Sequence, residues 1–395
     1  MAHALIVSPC DRSTYAFRRP QILELLDRGY RVSVATPDGP WVEEIRQLGA
    51  SHHIVNFCRF PSLARDAKTL LSLARLIRRL KPDVVHSINT KAVVLGSFAA
   101  RLAGVPRITN TFPGTGYTFF DSETGSPRRP PWHMRALVRS ACGFADRTLF
   151  VNRDDVDLYV HHGLISPAKS AMVRSEGIDI STFSPIKISE EARSRTRGLL
   201  ASDANTVIVL MMVARVTKSK GTLEFLEASR AAAEWGVPVR FVLAGPLDPE
   251  CPDPIREELL SPTDQFNWIG WRDDVAELLA ASDIVSLPSF YREGVPVTLL
   301  EALATGKPIV TTDHVGCREV VDNGRNGFLV PPRNAGKLAY AIRKIAIDAR
   351  LRSRFAAASR QKAENEFCDR AISAQIVDAL YGNSPTKARP ASAAA

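Results

Sequence analysis

Short runs of β-branched and apolar residues alternate with amphipathic helical patterns along almost the whole chain. That alternation limits the fold to βαβ units built around parallel sheets. The first half predicts strands at residues 5–7, 31–35, 83–86, 107–109, 147–151 and 171–173, with a helix over 18–28 closed by Gly29. After Ser184, Pro185 and a polar stretch to Asp203, the pattern restarts with strands at 206–213, 240–244, 266–269, 283–287, 308–311 and 327–330. From Asn334 to Tyr381 it is helical only. The expected organisation is α/β: a doubly wound, Rossmann-like domain over 1–184, a second over 185–368 and a helix over 369–382 that packs back on the first. A disordered tail rich in Pro, Ser and Ala follows over 383–395. Doubly wound sheets bind ligands at the carboxyl ends of their strands, so the chemistry is to be sought in the turns that follow strands.

A length of 395 residues fits two domains, and 45 % hydrophobic with 24 % charged residues excludes a disordered or collagen-like chain. The six cysteines stand far apart, without CxxC or zinc-type spacing, and read as reduced thiols. The apolar patch near Met1 is too short for a signal peptide. The longest apolar run, 207–214, is too short to span a bilayer, so the expected location is cytoplasmic.

Two stretches carry chemistry. Residues 290–312, FYREGVPVTLLEALATGKPIVTT, run from a strand end through a turn into a helix and on to the next strand. Glu293 falls before the helix and Glu301 on its second turn, so both carboxylates can face one ligand. The first N–H groups, at Val297, Thr298 and Leu299, can hold a phosphate. The second stretch, 213–222, places Arg215, Lys220 and Gly221 where a strand turns into a helix, bringing two cations onto one anion. GxxxxGK[ST] is missing, which removes support for ATPase chemistry.

With these residues in view, the chain resembles the retaining glycosyltransferases of family 4 over nearly all of residues 1–380. The resemblance rests on Ala214-Arg215 with Lys220-Gly221, on the turn from Gly270 to Val275, on Ala281-Ser282-Asp283, on the E-x7-E block with EALATGKPIV, and on GRNGFLVP at 324–331. It implies the GT-B fold, two Rossmann-like domains facing across a cleft. By the same resemblance Arg215 and Lys220 hold a donor diphosphate, Glu293 and Gly294 the donor sugar, Glu301 the ribose, and Gly270-Trp271 the base. The stretches 110–119 and 149–155 are similar to a branch that glycosylates lipid-diphosphate-linked sugars; there Gly114, Gly116 and Tyr117 form an acceptor or phosphate loop. Two departures stand out. Phe112-Pro113-Gly114 replaces the stretch that carries a histidine in many members, and Ser8 to Arg12 replaces the glycine-rich loop after the first strand. His86 either reaches the cleft or is a satisfied structural histidine.

The implied activity is retaining, metal-independent hexosyl transfer from a nucleotide sugar, most readily UDP-linked, to a polyprenyl-diphosphate-linked or other glycan, without a cofactor. Front-face attack fits because Glu293, the one strong carboxylate candidate for a double displacement, is assigned to sugar hydroxyls. Asp155-Val-Asp157 matches DxD but lies at a helix start, where acidic residues suit the dipole. The net charge of +9 is divided unevenly, with 24 Lys+Arg against 16 Asp+Glu up to residue 185 and 27 against 26 beyond it. Arg65, Lys68, Arg75 and Arg79 recur at helical spacing beside an apolar stripe of Leu63, Ala67, Leu70, Ala74 and Ile77. This is a pattern for peripheral contact with an anionic inner membrane face, or for a solvated basic helix face. An epimerase acting on UDP-sugars is the alternative enzyme. A nucleic-acid-binding protein finds no RRM, KH or helix-turn-helix signature.

Overall fold

A computed structural model describes residues 1–121, 128–201 and 207–382. The chain forms two compact units: Met1–Gly114 with Pro130–Glu176 and the segment from Arg370, and Gly177–Asp369 with Thr115–Arg129. The division thus falls eight residues before the polar stretch that marks it in the sequence, and one loop of the first half groups with the second unit. The expected tail over 383–395 lies outside the described residues.

The N-terminal unit holds a seven-stranded parallel sheet of order β3-β2-β1-β4-β5-β6-β7. Its strands are β1 (His3–Val7), β2 (Arg31–Thr36), β3 (Ser51–Ile54), β4 (Val84–Ile88), β5 (Arg107–Phe112), β6 (Arg147–Phe150) and β7 (Ser170–Met172). Side chains alternate across a strand, so Ala4 and Ile6 enter the core on one face while Leu5 and Val7 enter the core on the other. The first of these cores is completed by Ile372, Ile376, Val377, Leu380 and Tyr381 of the helix Asp369–Tyr381.

The C-terminal unit holds a six-stranded parallel sheet of order β10-β9-β8-β11-β12-β13. Its strands are β8 (Ile208–Val213), β9 (Val239–Ala244), β10 (Phe266–Trp268), β11 (Ile284–Leu287), β12 (Ile309–Thr312) and β13 (Gly327–Val330). The strand order reverses between β8 and β11, which puts the switch point of this sheet at the turns carrying Arg215 and Glu293.

Two local features differ from the sequence reading. The first helix begins at Asp11, not Arg18, and continues through Pro20 to Asp27, so the proline lies within the helix. In the helix Leu63–Leu80 the buried set is Thr69, Leu73, Ala74, Leu76 and Ile77. Leu63 and Leu71 are 95 % and 56 % exposed and Ala67 is also exposed, so the apolar stripe is only partly the packed face.

Candidate active site

The turn after β8 wraps from Arg215 to Gly221, which caps the helix Thr222–Ala231 with a left-handed φ of 83°. A Cβ on Gly221 would lie 2.2 Å from the Pro288 carbonyl oxygen, so glycine alone lets this turn reach the end of β11. Lys220 Nζ then donates to Glu293 Oε1 at 2.6 Å, and Ser289 Oγ donates to the same oxygen at 2.9 Å. Glu293 is 7 % exposed, so the pair is largely desolvated and its attraction is little screened. The Lys220 ammonium also stands 5.2 Å from the centre of the Tyr291 ring.

Arg215 Nη1 donates to Asp248 Oδ2 at 2.7 Å, with side-chain exposures of 40 % and 9 %. The loop carrying Asp248 also shapes the cationic turn. Asp253 Oδ2 accepts from the Ser219 N–H at 2.6 Å, and the Asp253 carbonyl accepts from the Lys218 N–H at 3.0 Å. Asp248, Asp253, Ser289 and Tyr291 were missed in the sequence. They hold Arg215 and Lys220 from loops whose distance along the chain gives no periodic signal.

The helix Val297–Ala304 starts at Pro296, so the N–H groups of Val297 and Thr298 precede its first intrahelical acceptor. Leu299 is different from the expectation: its N–H donates to the Pro296 carbonyl at 3.0 Å, and its side chain is in the core. Glu301 lies one turn further on. The residue keeps part of its surface, yet its carboxyl is desolvated, which pushes its pKa up to about 7. Gly316, φ 76°, fixes the turn opposite, because a Cβ there would lie 2.1 Å from the Gly294 carbonyl oxygen. The neighbouring Cys317 thiol is pushed up to about 12 by burial and by the Glu293 charge.

At the other side of β8, the Gly245 N–H donates to the Gly270 carbonyl at 2.7 Å, and Trp268 Nε1 donates to the Gly245 carbonyl at 2.9 Å. This leaves Trp271 half exposed on the turn after β10. Gly116 belongs to the same unit, packed so that a Cβ would lie 2.6 Å from the Tyr291 hydroxyl, and Phe120 meets the Tyr291 ring edge-on at 5.3 Å. Only the backbone of Tyr117 is among the described atoms, and Gly114 closes the last stretch of the N-terminal unit before this loop.

His86 is a core side chain, not an acceptor ligand. It is fully buried, its Nδ1 lies 3.1 Å from both Gln21 Nε2 and Tyr381 Oη, and its Nε2 lies 2.8 Å from Thr111 Oγ1. Burial drives its pKa down to about 3, so it stays neutral. Asp155 is likewise engaged at a helix start: its N–H donates to Asn152 Oδ1 at 2.8 Å, while Asp157 pairs with Arg153 at 3.0 Å. Arg65, Lys68, Arg75 and Arg79 are all exposed on the helix Leu63–Leu80.

Two parallel doubly wound units in tandem, with paired cations and carboxylates at the switch point of the second, match the class of glycosyltransferases. Residues 18–175 match the family described as glycosyl transferase 4-like domain, and residues 207–348 match glycosyl transferases group 1. The chain is 31 % identical over 359 residues to the N,N'-diacetylbacillosaminyl-diphospho-undecaprenol alpha-1,3-N-acetylgalactosaminyltransferase of Campylobacter jejuni, covering 90 % of this chain and 93 % of that protein. It is 27 % identical over 320 residues to an Escherichia coli UDP-Gal:alpha-D-GlcNAc-diphosphoundecaprenol alpha-1,3-galactosyltransferase, 80 % of this chain and 79 % of the relative. Its fold matches Anabaena Alr3699/HepE in complex with UDP-glucose at a TM-score of 0.77, with 20 % identity over 96 % of this chain and 100 % of that one. The chain belongs to glycosyltransferase family 4, of GT-B fold.

Proposed function

We propose that the protein moves a hexosyl group from a UDP-sugar to a polyprenyl-diphosphate-linked glycan, with retention, in surface polysaccharide or glycoconjugate assembly. The observation that carries this reading is the 31 % identity over 90 % of the chain with a relative whose name specifies a diphospho-undecaprenol acceptor. A UDP donor is supported by the Escherichia coli relative named for UDP-Gal and by the fold shared with a UDP-glucose complex.

In this reading Arg215, Lys220 and the first N–H groups of the helix Val297–Ala304 receive the donor diphosphate. Glu293 and Gly294 meet the sugar, Glu301 the ribose, and Gly270 with Trp271 the base. The glycosidic C–O bond to the diphosphate breaks as the acceptor hydroxyl attacks the same face, and the departing phosphate oxygen takes the acceptor proton. The protein's share is preorganised positive charge at the leaving group. Two side-chain cations and a helix start supply that charge, so we assign no metal and no cofactor; EDTA should leave turnover unchanged. Gly114, Gly116 and Tyr117 are assigned to the acceptor side.

No helix among the described residues is long and apolar enough to cross a membrane. Arg65, Lys68, Arg75 and Arg79, with the exposed Leu63 and Leu71 on the same helix, support peripheral contact with anionic lipid at the inner membrane face. The test is transfer of label from UDP-sugars to a short polyprenyl-diphosphate-linked saccharide. Labelled lipid product from wild type and none from Arg215→Ala is expected. Conversion of a UDP-sugar at full rate without acceptor would overturn transfer in favour of epimerisation or hydrolysis.

A further inference from the structure

Asn89 follows β4 with φ 74° and ψ 148°. Glycine adopts such a backbone freely, whereas a residue with a Cβ adopts it at a cost. Lys81 also has a positive φ, but its ψ of 56° makes it an ordinary left-handed end of the helix Leu63–Leu80. The ψ of Asn89 takes it out of that basin.

Asn89 is also the N-cap of the helix Thr90–Leu102. Asparagine is favoured at such a position because its side-chain oxygen accepts from a first-turn N–H. Here the side chain makes no cap bond and no other hydrogen bond with a described residue. Neither the backbone nor the cap therefore accounts for an asparagine, and folding alone would favour glycine. A residue that breaks the local rule without a local gain marks a functional position.

The strain persists because its surroundings hold it. The Asn89 N–H donates to the Thr111 carbonyl at 3.1 Å, and the Asn89 carbonyl accepts from the Val93 N–H at 2.8 Å. Thr111 is fixed in turn by the buried His86, whose Nε2 lies 2.8 Å from its Oγ1 and whose Nδ1 is held by Gln21 and Tyr381. The His86 cluster thus pins the strand end that carries Asn89.

The place is one where ligands bind. Strand order in this sheet reverses between β1 and β4, so Asn89, just past the carboxyl end of β4, stands at the switch point of the N-terminal unit. Its half-buried carboxamide has one acceptor oxygen and two N–H donors, a neutral set suited to a sugar hydroxyl or acetamido group. The nearby ammonium of Lys91 is already engaged, with the carbonyls of Cys58 and Phe60 at 2.8 Å and with Asp66 at 2.9 Å.

We propose that Asn89 selects the acceptor: its carboxamide hydrogen-bonds a hydroxyl or acetamido group of the acceptor saccharide, and the backbone strain is retained for that contact. This rests on the proposed glycosyl transfer. The residues assigned to the donor all belong to the other unit, so nucleotide binding should not depend on Asn89.

Two variants of the full-length protein test it, with a short polyprenyl-diphosphate-linked saccharide as acceptor. Asn89→Gly removes strain and carboxamide together. It should raise the melting temperature while raising the acceptor KM about tenfold, with kcat largely kept and UDP affinity unchanged. Asn89→Ala keeps a Cβ, and hence the strain, but loses the carboxamide. It should share the rise in KM without the gain in melting temperature. An unchanged acceptor KM in either variant would overturn the assignment and leave glycosyl transfer standing. A lower melting temperature for Asn89→Gly would overturn it too, since the asparagine would then serve the fold. No transfer by wild type would remove the transfer reading, and this assignment with it.

Discussion

The two units place their positive charge in opposite ways. In the C-terminal unit the cations of the candidate site each meet a nearly buried carboxylate, Lys220 with Glu293 at 2.6 Å and Arg215 with Asp248 at 2.7 Å. In the N-terminal unit Arg75 and Arg79 face a groove with no carboxylate partner among the described residues. A cation paired with a nearly buried carboxylate is held in one geometry, Lys220 desolvated and Arg215 still partly exposed. An unpaired exposed one acts through a field that salt screens within about 8–10 Å. One half is thus built for position and the other for attraction.

The sharpest way to break this contrast is at the donor turn. Lys220→Ala and Glu293→Ala should each lower kcat/KM by about 100- to 1000-fold, roughly 3–4 kcal/mol of transition-state stabilisation, with unchanged circular dichroism. The double variant should lose much less than the product of the two, because the residues act as a pair. Additive losses would show that the contact is incidental.

Next in size is a packing change that leaves both charge arrangements alone. Leu380 is fully buried in the core of the N-terminal unit, so Leu380→Ala should cost about 2–5 kcal/mol in denaturant unfolding of that unit. UDP affinity of the folded protein should be unchanged, since the donor residues belong to the other unit.

A smaller effect separates position from field by pH. Glu301 is raised to about 7 by burial, and in the proposed role of ribose acceptor its carboxylate form is the stronger acceptor of two hydroxyls, so UDP binding should release a proton and weaken as pH falls below 7. Calorimetry in buffers of different ionisation enthalpy reads this directly; an enthalpy independent of buffer would remove Glu301 from the nucleotide site. In the free protein the raised value also means that stability falls as pH rises from about 4.5 to 7, where the folded state holds a proton that the unfolded chain has lost. Glu301→Gln should abolish that slope.

The smallest expected change is on the surface. Arg75→Ala should weaken binding to anionic vesicles by about 1 kcal/mol at low salt and by nothing measurable at 0.5 M NaCl. A loss of transfer to a soluble acceptor would show that Arg75 works by position after all.

The parts of the molecule that were readable in the sequence are those where one residue type dominates a whole element. The strands of the second sheet are near-continuous apolar runs because both faces are covered, and the turns after β8 and β11 announce themselves by glycine and charge. Strand β3, Ser-His-His-Ile, was invisible because an edge strand beside a polar groove lacks that pattern. The first seven helical residues, Asp11 to Phe17, lack the apolar period that marks the stretch from Arg18. On the helix Leu63–Leu80 the period was legible but not which of two neighbouring stripes packs, a choice made by Thr69, Leu73 and Leu76 against the sheet. Asp248 and Ser289 could not be found at all, since their partners come from other loops and only the fold brings them together.

The helix Asp369–Tyr381 has a consequence for biosynthesis. β1 leaves the ribosome before the C-terminal unit, yet the face of its sheet bearing Ala4 and Ile6 is completed by Ile376, Leu380 and Tyr381, which leave after that unit. Ile22, Leu25 and Ile45 cover part of this face early, and the rest stays uncovered until the C-terminal unit, nearly continuous from Gly177, has been made. That uncovered part of the sheet is apolar surface that the growing chain must keep from aggregating.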